Sequence, residues 1–273
     1  MTTRLDWPGV VDRAREIVLS YDTSVTLRQL FYRLVSEQLI PNTQAAYKRL
    51  SDLTARQRRD GTFPELIDRG RSIHRYTAFD GVRDGLQTLI GWYRRDRTEG
   101  QDVSLYLGVE KAGLVVQLQA WFGEPLGLPV LALGGYSSQS YVSQVQRDTA
   151  ARDRPAVLLY GGDHDPSGED IDRDFVARSG CWDTVIRVAL GADQVREYGL
   201  PPNPGKATDS RAAGFVERHG ELVQVELDAL PPETLRSLFD SAVTQFWDTS
   251  AYEAALAREE DDVVRLRQIA GAA

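Results

Sequence analysis

Apolar residues along this chain follow two rhythms, and the change from one to the other divides it near residue 99. Before that point the spacing is helical. Residues 8–20 read as a first helix with Pro8 near its start. Thr26 is a candidate N-cap for a second helix over about 27–38, whose stripe of Leu27, Leu30, Phe31, Leu34 and Val35 steps by three and four residues. The turn Ile40-Pro41-Asn42-Thr43 leads to a third helix over 44–58, with Tyr47, Leu50 and Leu53 as its apolar side. An amphipathic stretch over 79–97 reads as a connector.

After residue 99 strands alternate with helices. Apolar runs at 103–109, 128–133, 157–160 and 184–190 predict strands, with helices at 112–121, 139–152 and 169–178 between them. This βαβ series predicts a mostly parallel sheet with helices on both faces. Residues 222–227 then alternate, placing Gln224, Glu226 and Asp228 on one face and Val223, Val225 and Leu227 on the other, as in a half-buried strand. A helix follows through Phe239, Val243 and Trp247, and the charged helical tail over 251–269 is expected to be a solvated face. The class is therefore α/β, with domains at 1–99 and 100–273.

Composition narrows the chemistry. The apolar fraction of 42% supports a packed core, and no apolar run approaches membrane-spanning length. Met-Thr-Thr-Arg-Leu-Asp is not followed by the apolar segment of a secretory leader, which predicts an intracellular, cytoplasmic protein. The single Cys181 rules out an internal disulfide and a cysteine-based zinc site. His74, His164 and His219 are scattered in sequence, which argues against a zinc enzyme, and His164 is expected to face away from its acidic neighbours. Charge is uneven: residues 1–100 carry 17 Lys and Arg against 13 Asp and Glu, a net of +4, so the remainder holds −12 of the overall −8. A basic half attracts phosphates, and an acidic half can hold cations that let phosphates approach.

In the basic half, three short helices followed by a tight turn and extended basic chain (Arg69, Arg71, Arg75) read as a winged helix-turn-helix of CAP-like type. The third helix would be the recognition helix. Its polar side carries Lys48, Arg49, Arg56, Arg58 and Arg59, the candidate DNA contacts together with Lys111; a merely solvated charged face is the alternative. Tyr32 falls off the apolar stripe of the second helix and shares its outward face with Arg28, one turn earlier. That pair suits a phosphate, although a surface tyrosine needs no such role.

In the acidic half, the strand at 157–160 stops at Gly161-Gly162 and runs into Asp163-His164-Asp165-Pro166-Ser167-Gly168. Residues i and i+2 of extended chain project to one side, so Asp163 and Asp165 can aim at one point. Asp-Pro-Ser-Gly is also good turn chemistry. Glu110 ends another strand of the same sheet, and three acids at one sheet edge are harder to explain as a turn. Such a cluster can position Mg²⁺, with Mn²⁺ as a substitute, for phosphodiester chemistry. Glu226 and Asp228 are further acids without a firm role.

The order Thr26-x-Arg28-x-x-Phe31-Tyr32, a basic wing, Glu110-Lys111, Gly135-Tyr136, Asp163-x-Asp165-Pro166-x-Gly168 and Leu227-x-Ala229-Leu230-Pro231 resembles the A subunit of topoisomerase VI and its relatives. These include the meiotic double-strand-break protein, and the likeness is greatest to the compact stand-alone Mini-A group. It spans roughly residues 24–240. The resemblance implies a winged-helix domain with Tyr32 as nucleophile and Arg28 on the phosphate, then a TOPRIM domain in which Glu110, Asp163 and Asp165 hold Mg²⁺. It further implies double-stranded DNA as substrate and a homodimer in which each tyrosine works with the metal site of the other protomer. A complete topoisomerase of this type also needs a separate ATPase subunit, and nothing in this chain resembles one. Ser137 and Ser138 stand where larger relatives carry proline. The expected activity is Mg²⁺-dependent DNA cleavage through a tyrosyl link. The alternatives are a TOPRIM nuclease that uses a metal-activated water, and a non-catalytic DNA-binding accessory protein.

Overall fold

The computed structural model describes residues 5–67, 76–204 and 208–272. Its first part is helical: α1 (Trp7–Ser20), α2 (Leu27–Ser36) and α3 (Gln44–Arg59) enclose a core of Val10, Ala14, Ile17, Leu30, Leu34 and Leu50. Thr26 caps α2 as expected, in a reciprocal box with Gln29, and Thr43 caps α3. Among the described residues no strand lies between α3 and residue 82, and Arg69, Arg71 and Arg75 of the expected wing lie outside them. The connector forms α4 (Val82–Trp92).

The second part carries a four-stranded parallel sheet of β1 (Ser104–Val109), β2 (Val130–Ala132), β3 (Ala156–Gly161) and β4 (Thr184–Ala189). The spatial order is β2-β1-β3-β4, and all three pairings are parallel. Every residue of β1 and β3 is buried, because both faces are covered. Leu105, Leu107, Val109, Val157 and Leu159 face one core with Leu114 and Leu118 of α5 (Ala112–Leu118). A π turn and the short α6 (Glu124–Leu126) continue α5. Tyr106, Leu158 and Tyr160 face the other core, with Val142 and Val145 of α7 (Gln139–Ala150) and Phe175 of α8 (Pro166–Ser179). After β4 come α9 (Ala192–Glu197), the two-residue strand β5 (Asn203–Pro204), α10 (Ala212–His219) and its partner strand β6 (Val223–Gln224). Next is a 3₁₀ turn at Leu227–Ala229, then α11 (Pro232–Thr244) and α12 (Thr249–Ala272).

Two expectations need correcting. The strand over 222–227 shrinks to Val223–Gln224 plus one bridge between Val225 and His164, and Asp228 is buried in the 3₁₀ turn rather than lying on a polar face. The tail is not simply solvated. α12 packs against α4 and sets Glu259 into the chain that follows it, pairing with Arg97 at 2.6 Å and accepting the Arg95 N–H at 2.9 Å. Asp262 accepts the Tyr93 hydroxyl and an Arg95 N–H, each at 2.8 Å. The basic end of the connector is thus spent on acids of the tail.

The helical part docks on the sheet part through α2 and the 3₁₀ turn, where the Arg33 guanidinium donates to the Ala229 carbonyl at 3.1 Å. The indole N–H of Trp121 reaches the Asp22 carboxylate at 3.1 Å on the same seam. No helix among the described residues is long and apolar enough to cross a membrane.

Candidate active site

The order β2-β1-β3-β4 means that the chain leaves β1 toward one side and returns on the other. The carboxyl ends of β1 and β3 therefore flank the switch point at which ligands gather in open α/β sheets. Glu110 follows β1, and Asp163 and Asp165 follow β3. Val109 pairs with Gly161 in register, so both strands end at one level. Glu110 donates its N–H to the Gly161 carbonyl at 3.0 Å, and the Asp163 N–H donates to Glu110 Oε2 at 3.0 Å. Glu110 thus meets the backbone of Asp163, one of the two aspartates expected beside it.

Asp163 is only 5% exposed. Its Oδ1 accepts the Leu227 N–H at 2.8 Å, and its Oδ2 lies 2.6 Å from Lys111 Nζ. The same ammonium contacts Glu226. Asp165 caps α8, with Oδ1 accepting the Gly168 N–H at 2.6 Å. The structural reading of Asp-Pro-Ser-Gly therefore holds for one oxygen of Asp165, as a helix cap rather than a free turn. Gly168 is required by close approach. A Cβ there would lie 2.4 Å from the Asp163 carbonyl oxygen and 3.2 Å from Glu110 Oε2.

Burial drives the electrostatics. It pushes the Glu110 carboxyl up, opposed by the Asp163 N–H and Lys111 and reinforced by Asp165 and Glu226. It pushes Asp163 well up, opposed first by Lys111. Burial alone would lower Lys111, but Asp163 and Glu226 outweigh it and hold the ammonium charged above its ordinary range. Glu226 is held below the usual carboxylate range: burial would raise it, and Lys111 more than offsets that. Asp163 and Glu226 thus share one half-buried ammonium, with Glu110 close enough to feel its charge, an arrangement that another cation would relieve. The donors are all hard carboxylate oxygens on strand ends, a set that fits Mg²⁺. Glu110, Asp163 and Asp165 are the residues that would hold it; as they stand they do not bring three ligand atoms within 4.8 Å of one another, so Asp165 would have to swing toward the other two.

Tyr32 feels the charges of Glu226 and Lys111 in this cluster. It is half-buried, edge-on to Phe31 at 5.5 Å, with the Arg28 guanidinium 5.5 Å from its ring centroid. Burial raises the phenol above its ordinary value; Glu226 raises it further, and Arg28 and Lys111 of the same chain pull it down. Arg28, Tyr32, Asn42 and Tyr47 border a cavity of about 310 Å³ between α2 and the start of α3. On α3, Lys48, Arg49, Arg56 and Arg59 are exposed, and Arg58 is half-buried beside Glu65 at 3.9 Å. Lys111 sits apart from them, among the acids.

No family model matches this chain, and no curated protein does. The functional reading rests on geometry and on the motifs themselves.

Sequence reasoning missed the counter-ion role of Lys111 and the seat of Glu226. Alternation placed Glu226 on a polar face but could not show that a 3₁₀ turn brings that face under Lys111. It also left the histidines scattered, and that is corrected. His164 packs against Phe215 and meets His219 across Glu169. His74 lies outside the described residues.

Proposed function

We propose that this protein cuts double-stranded DNA in a Mg²⁺-dependent reaction, with Tyr32 as nucleophile and Glu110, Asp163 and Asp165 as the metal-holding acids. The observation that carries this reading is the meeting of Asp163 and Glu226 on Lys111, with Glu110 accepting the Asp163 N–H and Tyr32 within the electrostatic reach of Glu226 and Lys111. Helices α1–α3 would then be the core of a winged-helix DNA-binding domain, and the sheet with its helices a TOPRIM domain.

The phenol is a weak nucleophile while protonated, and its raised pKa makes a nearby base necessary. Glu226, ionised because Lys111 holds it low, is placed to take the phenolic proton. Arg28 and Lys111 then stabilise the phenolate. Attack would form a bond between the tyrosyl oxygen and phosphorus and break the bond from phosphorus to a deoxyribose oxygen, which would leave as a hydroxyl by taking the proton that Glu226 received. A bound Mg²⁺ supplies charge neutralisation at the phosphate. The exposed cations of α3 would hold the flanking backbone by sequence-independent contacts.

Glu226 of the same chain acts on Tyr32, and on that basis we take the attack to occur within one protomer, unlike the cross-protomer arrangement that the resemblance implies. A homodimer would then bring two such centres to the two strands. Strand passage would require a separate ATPase.

The deciding experiment incubates the protein with supercoiled plasmid and Mg²⁺, stops it in denaturant, and maps the residue attached to the DNA end. A peptide carrying Tyr32 linked to DNA is expected. Cutting that persists in Tyr32→Phe would assign the attack to water, a reading that the raised phenol pKa favours. No cutting under any divalent ion would leave a DNA-binding accessory.

A further inference from the structure

On the far side of the β3–α8 loop from the acids, His164, Glu169 and His219 come together, each offering one ligand atom within 4.8 Å of the others. They come from three elements. His164 lies in the loop between Asp163 and Asp165, held by paired backbone hydrogen bonds with Val225 at 2.9 and 3.1 Å. Glu169 is in the first turn of α8, and His219 ends α10. His164 is 2% exposed, and its Nδ1 has no hydrogen-bonding partner among the described residues; Glu169 Oε1 lies 3.9 Å away. His219 Nε2 sits 2.6 Å from that same oxygen. The two imidazoles meet edge to face with centroids 4.9 Å apart, and Phe215 backs both, at 5.1 Å from His164 and 4.5 Å from His219. The other carboxylate oxygen, Glu169 Oε2, is fixed by Arg218 at 2.8 Å. A cavity of about 430 Å³, lined by His164, His219, Gln38 and Glu221, opens beside the rings.

A buried imidazole nitrogen without a partner is costly, and this one lies 3.9 Å from a carboxylate oxygen shared with a second imidazole. From these contacts we infer that His164 Nδ1, Glu169 Oε1 and His219 Nε2 form a second metal site, for Zn²⁺ or a similar borderline transition ion. Two imidazoles and one carboxylate are a donor set for such ions with a position left open, and the cavity lies where water would complete the shell. Ligand atoms around a tetrahedral Zn²⁺ with bonds of about 2.0–2.1 Å stand roughly 3.3 Å apart. The 3.9 Å gap needs to close and the 2.6 Å contact to open, each by well under 1 Å. Arg218 positions the carboxylate from its outer oxygen, the kind of support that orients a metal ligand. The ion would brace the loop whose two flanking aspartates belong to the carboxylate cluster, tying it to α8 and α10.

The test uses the full chain, stripped with chelator and titrated with Zn²⁺ in calorimetry while Mg²⁺ is kept in excess. Co²⁺ serves as a second probe, because its visible absorption intensity reports tetrahedral coordination. One Zn²⁺ per chain and a tetrahedral Co²⁺ spectrum are expected. Both should be lost in His219→Ala and kept in Glu110→Gln, which disables only the carboxylate cluster. Arg218→Ala should weaken Zn²⁺ about 10–100-fold. His219 is partly exposed, so its variant is expected to fold even where His164→Ala does not. Absence of saturable Zn²⁺ binding below about 1 mM would overturn the assignment, as would binding lost in Glu110→Gln and retained in His219→Ala. Failure of DNA cleavage bears on neither outcome, since the readout is metal binding itself.

Discussion

The backbone N–H of Asp163 donates to Glu110 Oε2 at 3.0 Å, joining the ends of two neighbouring parallel strands through a side chain. That bond decides the local chemistry. It keeps Glu110 from turning out to solvent and sets the Asp163 carboxylate against Lys111, where burial and repulsion can act on it.

Lys111 is the counter-ion of this cluster, and its removal should show that first. Lys111→Met leaves Asp163 and Glu226 facing each other without compensation, and breaking a buried pair in this way costs about 3–5 kcal/mol. Urea denaturation is expected to show a loss of that size without divalent ions. Added Mg²⁺ should recover more stability in the variant than in the parent. A variant as stable as the parent in chelator would remove Lys111 from this role.

Gly168→Ala tests the close approach. The new methyl would stand 2.4 Å from the Asp163 carbonyl oxygen, so the Asp-x-Asp loop must shift away from Glu110. Overpacking of this kind costs roughly 1–3 kcal/mol. Cleavage should fall much further than stability, as measured by plasmid nicking beside a thermal melt. Equal, small changes in both would mean that the loop yields without moving the acids.

Tyr32 and the acids can be separated between chains. Tyr32→Phe and Glu110→Gln should each abolish cutting. Because Glu226 of the same chain acts on Tyr32, co-refolding the two variants should leave the mixture inactive. Recovery toward a quarter to a half of parental activity would instead show that the tyrosine serves the partner's acids.

Acidity gives an independent handle. Glu110 and Asp163 are raised in the folded state. Their contribution to stability is therefore complete below their unfolded values near ~4 and is lost as pH rises through the higher folded values. Without divalent ions, stability should increase as pH falls from about 7 toward about 5. Asp163→Asn should flatten that slope. Glu226 is lowered, so its contribution is present above its unfolded value and disappears only at pH below roughly 4. A flat profile in the parent between neutrality and pH 5 would contradict the raised values.

Much of this was legible in the sequence because local rules agreed with the tertiary outcome. Leu105, Leu107 and Val157 to Tyr160 read as buried strands because both faces of a parallel sheet are covered, and the Thr26 cap of α2 follows from one threonine and one glutamine. Glu110 and Asp163 could be paired because strand ends of a βαβ series share one edge. What was not legible depends on contacts between distant segments. Glu226 comes under Lys111 only because the chain turns at Leu227, and Glu259 reaches Arg97 only because α12 folds back over α4. His164 and His219 are 55 residues apart, and no spacing rule connects the β3–α8 loop with the end of α10.

The ammonium of Lys111 carries a last consequence. Any ion arriving at these carboxylates finds a resident already in place, so its entry is an exchange and not the founding of a site. The loop can fold in advance of its visitor, because the charge of Asp163 and Glu226 is already offset, and a singly charged newcomer gains little by the swap.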